Sequence, residues 1–126
     1  MRIIFDTYAW VEYFLGTEKG KKVSQILVES NELYTPSIVL LELSYKSIKE
    51  GWNYDSLFQF IKTKTAIIDL DEEVISKTGL VYWELRKQGK NASLVDATLL
   101  TTARILKAKI ITGDQHFKDT DESIMI

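Results

Sequence analysis

The chain has 126 residues, of which 45% are hydrophobic and 27% charged, a balance typical of a globular domain with its own apolar core. It contains no cysteine and one histidine, which excludes disulfide scaffolds, thiolate zinc sites, cysteine nucleophiles and multi-histidine metal centres. The formal net charge of −2 excludes general coating of nucleic acid, so any contact with RNA or DNA requires a local basic patch, bound cations or another chain.

Short apolar strands alternate with longer helices along the whole sequence. In chain order we predict a strand at 2–5, helices at 7–15 and 18–29, a strand at 32–34, helices at 37–50 and 54–63, a strand at 65–69, helices at 71–88 and 93–107, and strands at 109–112 and 124–126. This alternation is typical of an α/β fold, in which helices flank a parallel central sheet. The length fits one domain, covering residues 1–126.

Residues at the predicted helix ends support these boundaries. Thr17 and Asp71 precede segments with apolar residues three and four apart, and Gly51 and Gly89 follow helical segments. In "ELYTPSIVLLELSYKSIKEG", Thr35 is the expected cap and the only proline, Pro36, the expected first helical residue. The helix that follows is apolar over much of its circumference, so we expect it to be largely buried.

The N-terminal sequence and the hydropathy pattern indicate in which cell compartment the protein is found. The sequence "MRIIFD" reaches an acidic residue before the apolar core of a signal peptide could form. No uninterrupted apolar run approaches the ~18 residues of a membrane-spanning helix. We therefore expect a cytoplasmic protein without a membrane contact.

Two aspartates directly follow apolar strands. Asp6 comes after the strand at 2–5, and Asp114 follows the strand at 109–112 and Gly113. Each has a local explanation, since Asp6 can cap the next helix and Asp114 can occupy a turn. However, the carboxyl ends of parallel strands form the edge where α/β proteins bind ligands, so the two aspartates are also candidates for a functional site.

Two further acids lie in predicted helices. Glu42 stands between Leu41 and Leu43, where it can either pair with Lys46 one turn on or point from a buried helix into a polar pocket. Asp96 follows Ser93 at the spacing of a capping box, which gives it a structural explanation as well.

Together the four acids suggest a metal site. Carboxylates about 5 Å apart repel by roughly 3 kcal/mol per pair at an effective dielectric of ~20, so a cluster requires a cation or raised pKa values. Oxygen ligands without cysteine or several histidines favour Mg²⁺ or Mn²⁺ over zinc. Such a centre would suit hydrolysis of a phosphodiester by water activated by the metal.

Four segments spread over the chain carry these acids. They are "IIFDTYAWVEYF" with Asp6 and Thr7, "PSIVLLEL" with Glu42, "SLVDATLLTTA" with Asp96, and "IITGDQHF" with Thr112, Asp114 and Phe117. In order and spacing they resemble the motifs of PIN-domain ribonucleases, specifically the toxins of VapBC-type toxin–antitoxin pairs.

The resemblance implies a single PIN-like nuclease domain that cleaves RNA with one or two Mg²⁺ or Mn²⁺ ions. It implies that Asp6, Glu42, Asp96 and Asp114 hold the metal and act in catalysis. Thr7 and Thr112 match hydroxyl positions that support the metal, the water or the acidic ligands. It also implies a homodimer inhibited by a small antitoxin that crosses the active-site groove. Some relatives have one more acid, for which Asp119 and Asp121 are both candidates, and Gly113 stands where many have a polar or basic residue.

Other polar residues have weaker signals. His116 lies in a polar loop after a strand, where we expect an exposed residue without a role. The basic clusters at 19–22 and at Arg86, Lys87 and Lys90 are either solvated or in contact with RNA phosphates.

The aromatic residues have structural interpretations. We expect Trp10, Tyr13 and Phe14 to pack in the core or at a subunit contact, and Trp52 to be an exposed candidate for a partner surface.

Alternative functions remain open on the sequence alone. A phosphatase that uses an aspartyl-phosphate needs a second acid two residues after Asp6, where this chain has Tyr8. A glycine-rich phosphate loop is also missing from the sequence. The alternatives that keep the fold are a housekeeping RNA-processing nuclease and a non-catalytic module that binds protein or RNA.

Overall fold

The computed structural model describes residues 1–29 and 32–126. In chain order the elements are β1 (Arg2–Phe5), α1 (Thr7–Leu15), α2 (Glu18–Val28), β2 (Glu32–Pro36), α3 (Ser37–Glu50), α4 (Tyr54–Lys64), β3 (Ala66–Ile68), α5 (Glu72–Lys87), α6 (Leu94–Leu106), β4 (Lys109–Thr112), a 3₁₀ turn (Gln115–Phe117) and β5 (Ser123–Met125). The predicted strands and helices are therefore confirmed with ends shifted by one or two residues; the 3₁₀ turn is an addition.

The five strands form one parallel sheet in the order β3-β2-β1-β4-β5. This confirms the α/β fold with a parallel central sheet flanked by helices. The strand order changes direction between β1 and β4, which are adjacent in the sheet although far apart in sequence. Phe5 pairs with Ile111 across them, so Asp6 and Thr112 come next at the same edge. This edge is the switch point at which open α/β sheets bind ligands.

The central strands form the middle of the core. Buried side chains of β1 and β4 include Ile4, Phe5, Ile110 and Ile111. Trp10 of α1 is fully buried and stacks on Phe5 with 4.9 Å between the ring centroids.

Trp10 also contacts other aromatic rings. Its centroid lies 5.6 Å from that of Phe14 and 6.3 Å from that of Phe60. The expected core packing of the α1 aromatic residues is thus confirmed. It holds α1, the helix that begins after Asp6, against the sheet.

The predicted caps at Thr17 and Asp71 are confirmed. Thr17 accepts a hydrogen bond from the backbone N–H of Gly20, and Asp71 accepts one from Val74. Gly51 ends α3 in the left-handed conformation, with φ of 72°. Left-handed backbone carries no Cβ penalty at glycine, so this residue stops the helix cleanly.

The predicted start of α3 was wrong in detail. Thr35 belongs to β2 rather than capping a helix, and its buried hydroxyl hydrogen-bonds Trp10 Nε1 at 3.2 Å and Thr65 Oγ1 at 2.7 Å. Pro36 pairs in parallel with Ile68 and is the capping residue rather than the first helical one. Parallel pairing with β3 extends β2 by two residues, which a local capping rule does not detect.

The expectation that α3 is largely buried was also wrong. Its buried apolar residues are Val39, Leu40 and Leu43. Leu41, Tyr45 and Ile48 form a stripe on the opposite face, with exposed fractions of 69%, 69% and 82%. Helix α3 therefore packs one face on the core and presents a second apolar face to solvent.

Two further surface expectations can be compared with the structure. Trp52 is half-buried rather than exposed, which weakens its candidacy for a partner surface. Among the described residues, no helix combines the length and the apolar character needed to cross a membrane.

Candidate functional site

Asp6 lies at the carboxyl end of β1 and is only 4% exposed. Its Oδ1 accepts a hydrogen bond from the backbone N–H of Ala9 at 2.7 Å, so it caps α1 as its local sequence suggests. The pKa of Asp6 is raised to about 7, chiefly by burial and in smaller part by the carboxylates of Asp114 and Asp96, while hydrogen bonds from Thr112 and Ala9 act to lower it. Asp6 is thus both a helix cap and a member of a negatively charged group.

Thr112 ties Asp6 to Asp114. It is fully buried at the end of β4, and its hydroxyl oxygen accepts a hydrogen bond from the backbone N–H of Asp114 at 2.9 Å. The same hydroxyl hydrogen-bonds the side chain of Asp6, which lowers the pKa of that carboxyl. The hydroxyl therefore fixes the positions of two acidic residues that follow the ends of neighbouring strands.

Asp96 enters the site from the first turn of α6. The capping box with Ser93 is present: Asp96 Oδ2 accepts from the backbone N–H of Ser93 at 2.8 Å, and Ser93 Oγ accepts from Asp96 at 3.0 Å. These two hydrogen bonds hold the Asp96 carboxylate in place without a bound ligand.

His116 contacts both Asp96 and Asp114, contrary to the expectation of an exposed residue without a role. Its Nδ1 lies 3.0 Å from Asp114 Oδ1 and 3.3 Å from Asp96 Oδ2. These three side chains offer ligand atoms that all lie within 4.8 Å of one another. The Nδ1 atom is buried, yet neither carboxylate accepts a hydrogen bond from it in suitable geometry.

The 3₁₀ turn explains how His116 reaches this position. Asp114 Oδ1 accepts from the backbone N–H of His116 at 2.9 Å, and Phe117 is 1% exposed in the core. The buried Phe117 and the capped Asp114 hold the turn at both ends, so His116 faces α6. The spacing Asp114-x-His116-Phe117, with an apolar anchor directly after the histidine, was the available sequence signal.

Glu42 is connected to this site through Thr7, the residue after Asp6. Glu42 Oε1 accepts a hydrogen bond from Thr7 Oγ1 at 2.5 Å. The alternative pairing with Lys46 was wrong, because Lys46 contacts Glu50 at 3.5 Å instead. Nor does Glu42 point into the protein interior, since it lies on the exposed side of α3.

The structure therefore brings three of the four predicted acids together. Asp96 and Asp114 belong to the three-residue group with His116, and both act on the pKa of Asp6. Glu42 is neither a member of that group nor a cause of the Asp6 shift. Asp119 and Asp121 are exposed and are not members of the group either.

The donor set fits a divalent cation. Two carboxylates and one buried nitrogen without a hydrogen bond offer three ligand atoms from separate residues. Neighbouring ligands of an octahedral ion with bonds of about 2.1 Å lie about 3 Å apart, which is the separation seen between Nδ1 and the carboxylate oxygens. Carboxylate oxygens suit Mg²⁺ or Mn²⁺.

Tyr8 closes one side of the site over Gly113. A Cβ atom at position 113 would lie 2.1 Å from Tyr8 Cε1, so only glycine fits under this ring. The hydroxyl of Tyr8 accepts a hydrogen bond from Lys19 Nζ at 2.9 Å. One member of the basic cluster at 19–22 is thereby held beside the strand end that carries Asp114.

A separate hollow lies away from the acidic residues and has a different chemistry. It has a volume of about 400 Å³ between the start of α3 and helices α5 and α6. Its lining consists mostly of apolar residues: Ile38, Leu70, Ile75, Thr78, Gly79, Leu94, Val95 and Thr98. An apolar hollow offers no ligands for a cation or a phosphate.

Comparison with known proteins agrees with this architecture. The family model for the PIN domain matches residues 3–123, which is nearly the whole chain. In a comparison with curated proteins, none matches the chain significantly.

Solved structures of similar fold cover the chain almost completely. VapBC2 from Rickettsia felis, bound to a DNA fragment from its promoter, has 22% identity and a TM-score of 0.78, covering 100% of this chain and 98% of that chain. DNA-bound VapBC from Salmonella typhimurium has 17% identity and a TM-score of 0.76, covering 100% and 97%. VapC20 from Mycobacterium tuberculosis, a toxin that cleaves the sarcin–ricin loop, has 15% identity and a TM-score of 0.78, covering 98% of both chains.

Proposed function

Because this chain belongs to the PIN domain family, we propose that it is a Mg²⁺- or Mn²⁺-dependent endoribonuclease that hydrolyses RNA phosphodiester bonds. The observation that carries the proposal is the convergence of Asp6, Asp96 and Asp114 at the switch point of the sheet, where the pKa of Asp6 is raised to about 7. Helix capping alone does not require three carboxylates close enough to raise the pKa of Asp6, because asparagine caps helices as well as aspartate.

The site residues have distinct proposed roles. Asp6, Asp96 and Asp114 hold the cation, and Glu42 either joins them or orients the attacking water. A bound divalent cation would activate that water and neutralise charge on the scissile phosphate.

Two hydroxyl groups position the acids. Thr112 hydrogen-bonds Asp6 and accepts from the backbone of Asp114, so it sets the spacing of two carboxylates. Thr7 orients the Glu42 carboxylate through the 2.5 Å hydrogen bond. Outer hydroxyl groups of this kind orient metal ligands and limit their motion, which supports a binding role for Thr7 and Thr112 that acts through the acids.

The substrate phosphates need a positive partner, since the chain as a whole is acidic. Lys19 is suited to this role because it is exposed and is held against Tyr8 beside the site. A single local lysine gives a weak salt-dependent contribution to RNA affinity. The reactive centre, rather than a broad basic surface, would then select the cleavage position.

We also propose that the enzyme is the cytoplasmic toxin of a toxin–antitoxin pair, forming a homodimer and binding a small antitoxin. Similar structures include a toxin–antitoxin complex from Klebsiella pneumoniae and the toxin VapC20. Exposed apolar side chains on two helices offer area for protein contacts: Leu41, Tyr45 and Ile48 on α3, and Ile75, Leu80 and Trp83 on α5.

RNA cleavage by the wild type and by Asp96→Asn, each with Mn²⁺ and with chelator, tests the nuclease proposal. We expect cleavage only by the wild type with metal. Asp55→Asn is the matched control, because Asp55 also lies in the first turn of a helix and is exposed away from the cluster. Equal residual cleavage by the wild type and Asp96→Asn would mean contamination and would refute the assignment.

Growth after induced expression tests the toxin proposal separately. We expect the wild type to arrest growth and Asp96→Asn to leave it unchanged. The toxin proposal also predicts a short reading frame next to this gene, and co-expression of its product should restore growth and yield a complex on purification. Cleavage in vitro without growth arrest would favour a housekeeping nuclease.

A further inference from the structure

The ring of His116 completes the group of ligand atoms at the acidic cluster. Its Nδ1 lies 3.0 Å from Asp114 Oδ1 and 3.3 Å from Asp96 Oδ2. Metal sites built only from carboxylates do not need such a nitrogen. The question is whether the imidazole serves as an ion-pair partner of the two acids or as a ligand beside them.

His116 Nδ1 lies at ion-pair distance from both acids, but its geometry differs from that of an ordinary hydrogen-bonded pair. A ring N–H that neutralised the two acids would point in its own plane at one of their oxygens. Neither carboxylate oxygen meets that condition, although both are close enough. The Nδ1 atom is also shielded from solvent. A buried nitrogen without a hydrogen bond is costly unless another group binds it.

The backbone around His116 holds the ring in this position without any ligand. Asp114 Oδ1 accepts from the backbone N–H of His116, and the next residue, Phe117, is buried in the core. On the other side, Asp96 is fixed by its capping box with Ser93. All three donors are therefore preorganised, which is what a selective metal site requires.

We propose that His116 is a nitrogen ligand, through Nδ1, of the divalent cation held by Asp96 and Asp114, and that it makes the centre select Mn²⁺ over Mg²⁺. The inference rests on the proposed function for the presence of a cation. Mg²⁺ is bound in proteins almost entirely through oxygen atoms, whereas transition-metal ions accept imidazole nitrogen. Replacing one oxygen position by nitrogen therefore favours Mn²⁺.

Pulsed electron paramagnetic resonance on the Mn²⁺-loaded wild type tests the proposal directly. The chain contains one histidine, so in untagged protein any coupling to an imidazole nitrogen must come from His116. We expect a coupling from directly bound ¹⁴N that changes when the protein is made with ¹⁵N-labelled histidine. Bound Mn²⁺ without any histidine coupling would overturn the proposal and leave the carboxylate site intact.

Calorimetric titrations with Mn²⁺ and with Mg²⁺ give a second measurement. His116→Ala should raise the Kd for Mn²⁺ by about 10- to 100-fold and the Kd for Mg²⁺ much less. Gln115→Ala, an exposed neighbour in the same 3₁₀ turn, is the matched control and should leave both values unchanged. Equal losses for the two metals would show that His116 only supports the turn and would overturn the selectivity.

The two proposals fail in different ways. If the wild type binds no Mn²⁺ at all, the proposed metal centre and the histidine ligand fail together. If Mn²⁺ binds, Asp96→Asn removes RNA cleavage and no nitrogen coupling is seen, only the histidine ligand fails. The resonance measurement uses the wild type, so it shows whether His116 binds the metal even if His116→Ala does not fold.

Discussion

The hydroxyl of Thr7 donates a hydrogen bond to the carboxylate of Glu42 over 2.5 Å and thereby joins the start of α1 to α3. Thr7 directly follows Asp6, so this bond sets where Glu42 stands relative to the three aspartates. Valine has the shape of threonine without the hydroxyl. We expect Thr7→Val to lower kcat for RNA cleavage about tenfold, as is typical when a group that orients a ligand is removed.

Two variants separate this positioning role from a general effect on the fold. Thr7→Ser keeps the hydroxyl and should retain most of the activity. Thr63→Val removes a hydroxyl that donates to the backbone carbonyl of Phe60 on exposed α4, and it should have no effect on kcat. Full activity in Thr7→Val would mean that Glu42 does not depend on Thr7.

The buried Asp6 should make the stability of the metal-free protein depend on pH. Its pKa is about 7 in the folded protein, compared with 3.8 for the ordinary side chain. The folded state therefore keeps a proton that the unfolded chain releases. The stabilisation is fully present below pH about 4 and is lost as the pH rises to about 7, by up to roughly 4 kcal/mol.

Asp6→Asn removes this titration and retains a side chain that caps helices well. We expect a higher Tm than the wild type at pH 8 and a similar Tm at pH 4, measured by circular dichroism in chelator. Asp71→Asn is the control, because Asp71 caps α5 in the same way but is exposed. A fall in Tm for Asp6→Asn at both pH values would favour the capping role alone.

Divalent ions should offset the repulsion among Asp6, Asp96 and Asp114. A ligand present at 100 times its Kd stabilises the folded state by about 2.7 kcal/mol. We therefore expect Mn²⁺ to raise the Tm of the wild type at pH 8, and chelator to reverse the change. Asp114→Asn should reduce the increase. An equal increase in the wild type and Asp114→Asn would place the ion somewhere else.

The strand ends and the helix caps could be predicted because both are local. Ser93 and Asp96 form their capping box, and Asp6 caps α1, as the neighbouring residues indicate. Capping and clustering are compatible for Asp6 and Asp96, because each accepts a backbone N–H while Asp96 raises the pKa of Asp6. A carboxylate that accepts a backbone N–H keeps its negative charge, so it still raises the pKa of a neighbouring acid.

The position of His116 and the two faces of α3 could not be predicted, because they depend on contacts far apart in sequence. His116 reaches Asp96 only because Phe117 is anchored in the core. For α3, the four consecutive apolar residues Ile38 to Leu41 point to all sides of the helix, so their periodicity does not indicate that Leu41 is exposed. The partner of Glu42 was missed for the same reason, since Thr7 is 35 residues away.

The ring of Tyr8 gives a physical reason for glycine at position 113 and a prediction that can be checked by stability alone. Gly113→Ala would put a Cβ atom 2.1 Å from Tyr8 Cε1, so the ring must move. Overpacking of this kind costs about 1–3 kcal/mol. We expect that loss in the free energy of unfolding measured with urea, and a weaker contact between Tyr8 and Lys19.

A double-mutant cycle with Tyr8→Ala isolates the clash between the two residues. Gly113→Ala should cost much less in the Tyr8→Ala background, because the ring that it meets is gone. Gly79→Ala is the matched control: nothing lies within 4 Å of its Cβ position in α5, so it should stabilise the protein by about 0.5–1 kcal/mol. If Gly113→Ala is equally destabilising with and without the Tyr8 ring, the glycine is required by the backbone, and Tyr8 does not determine the shape of this side of the site.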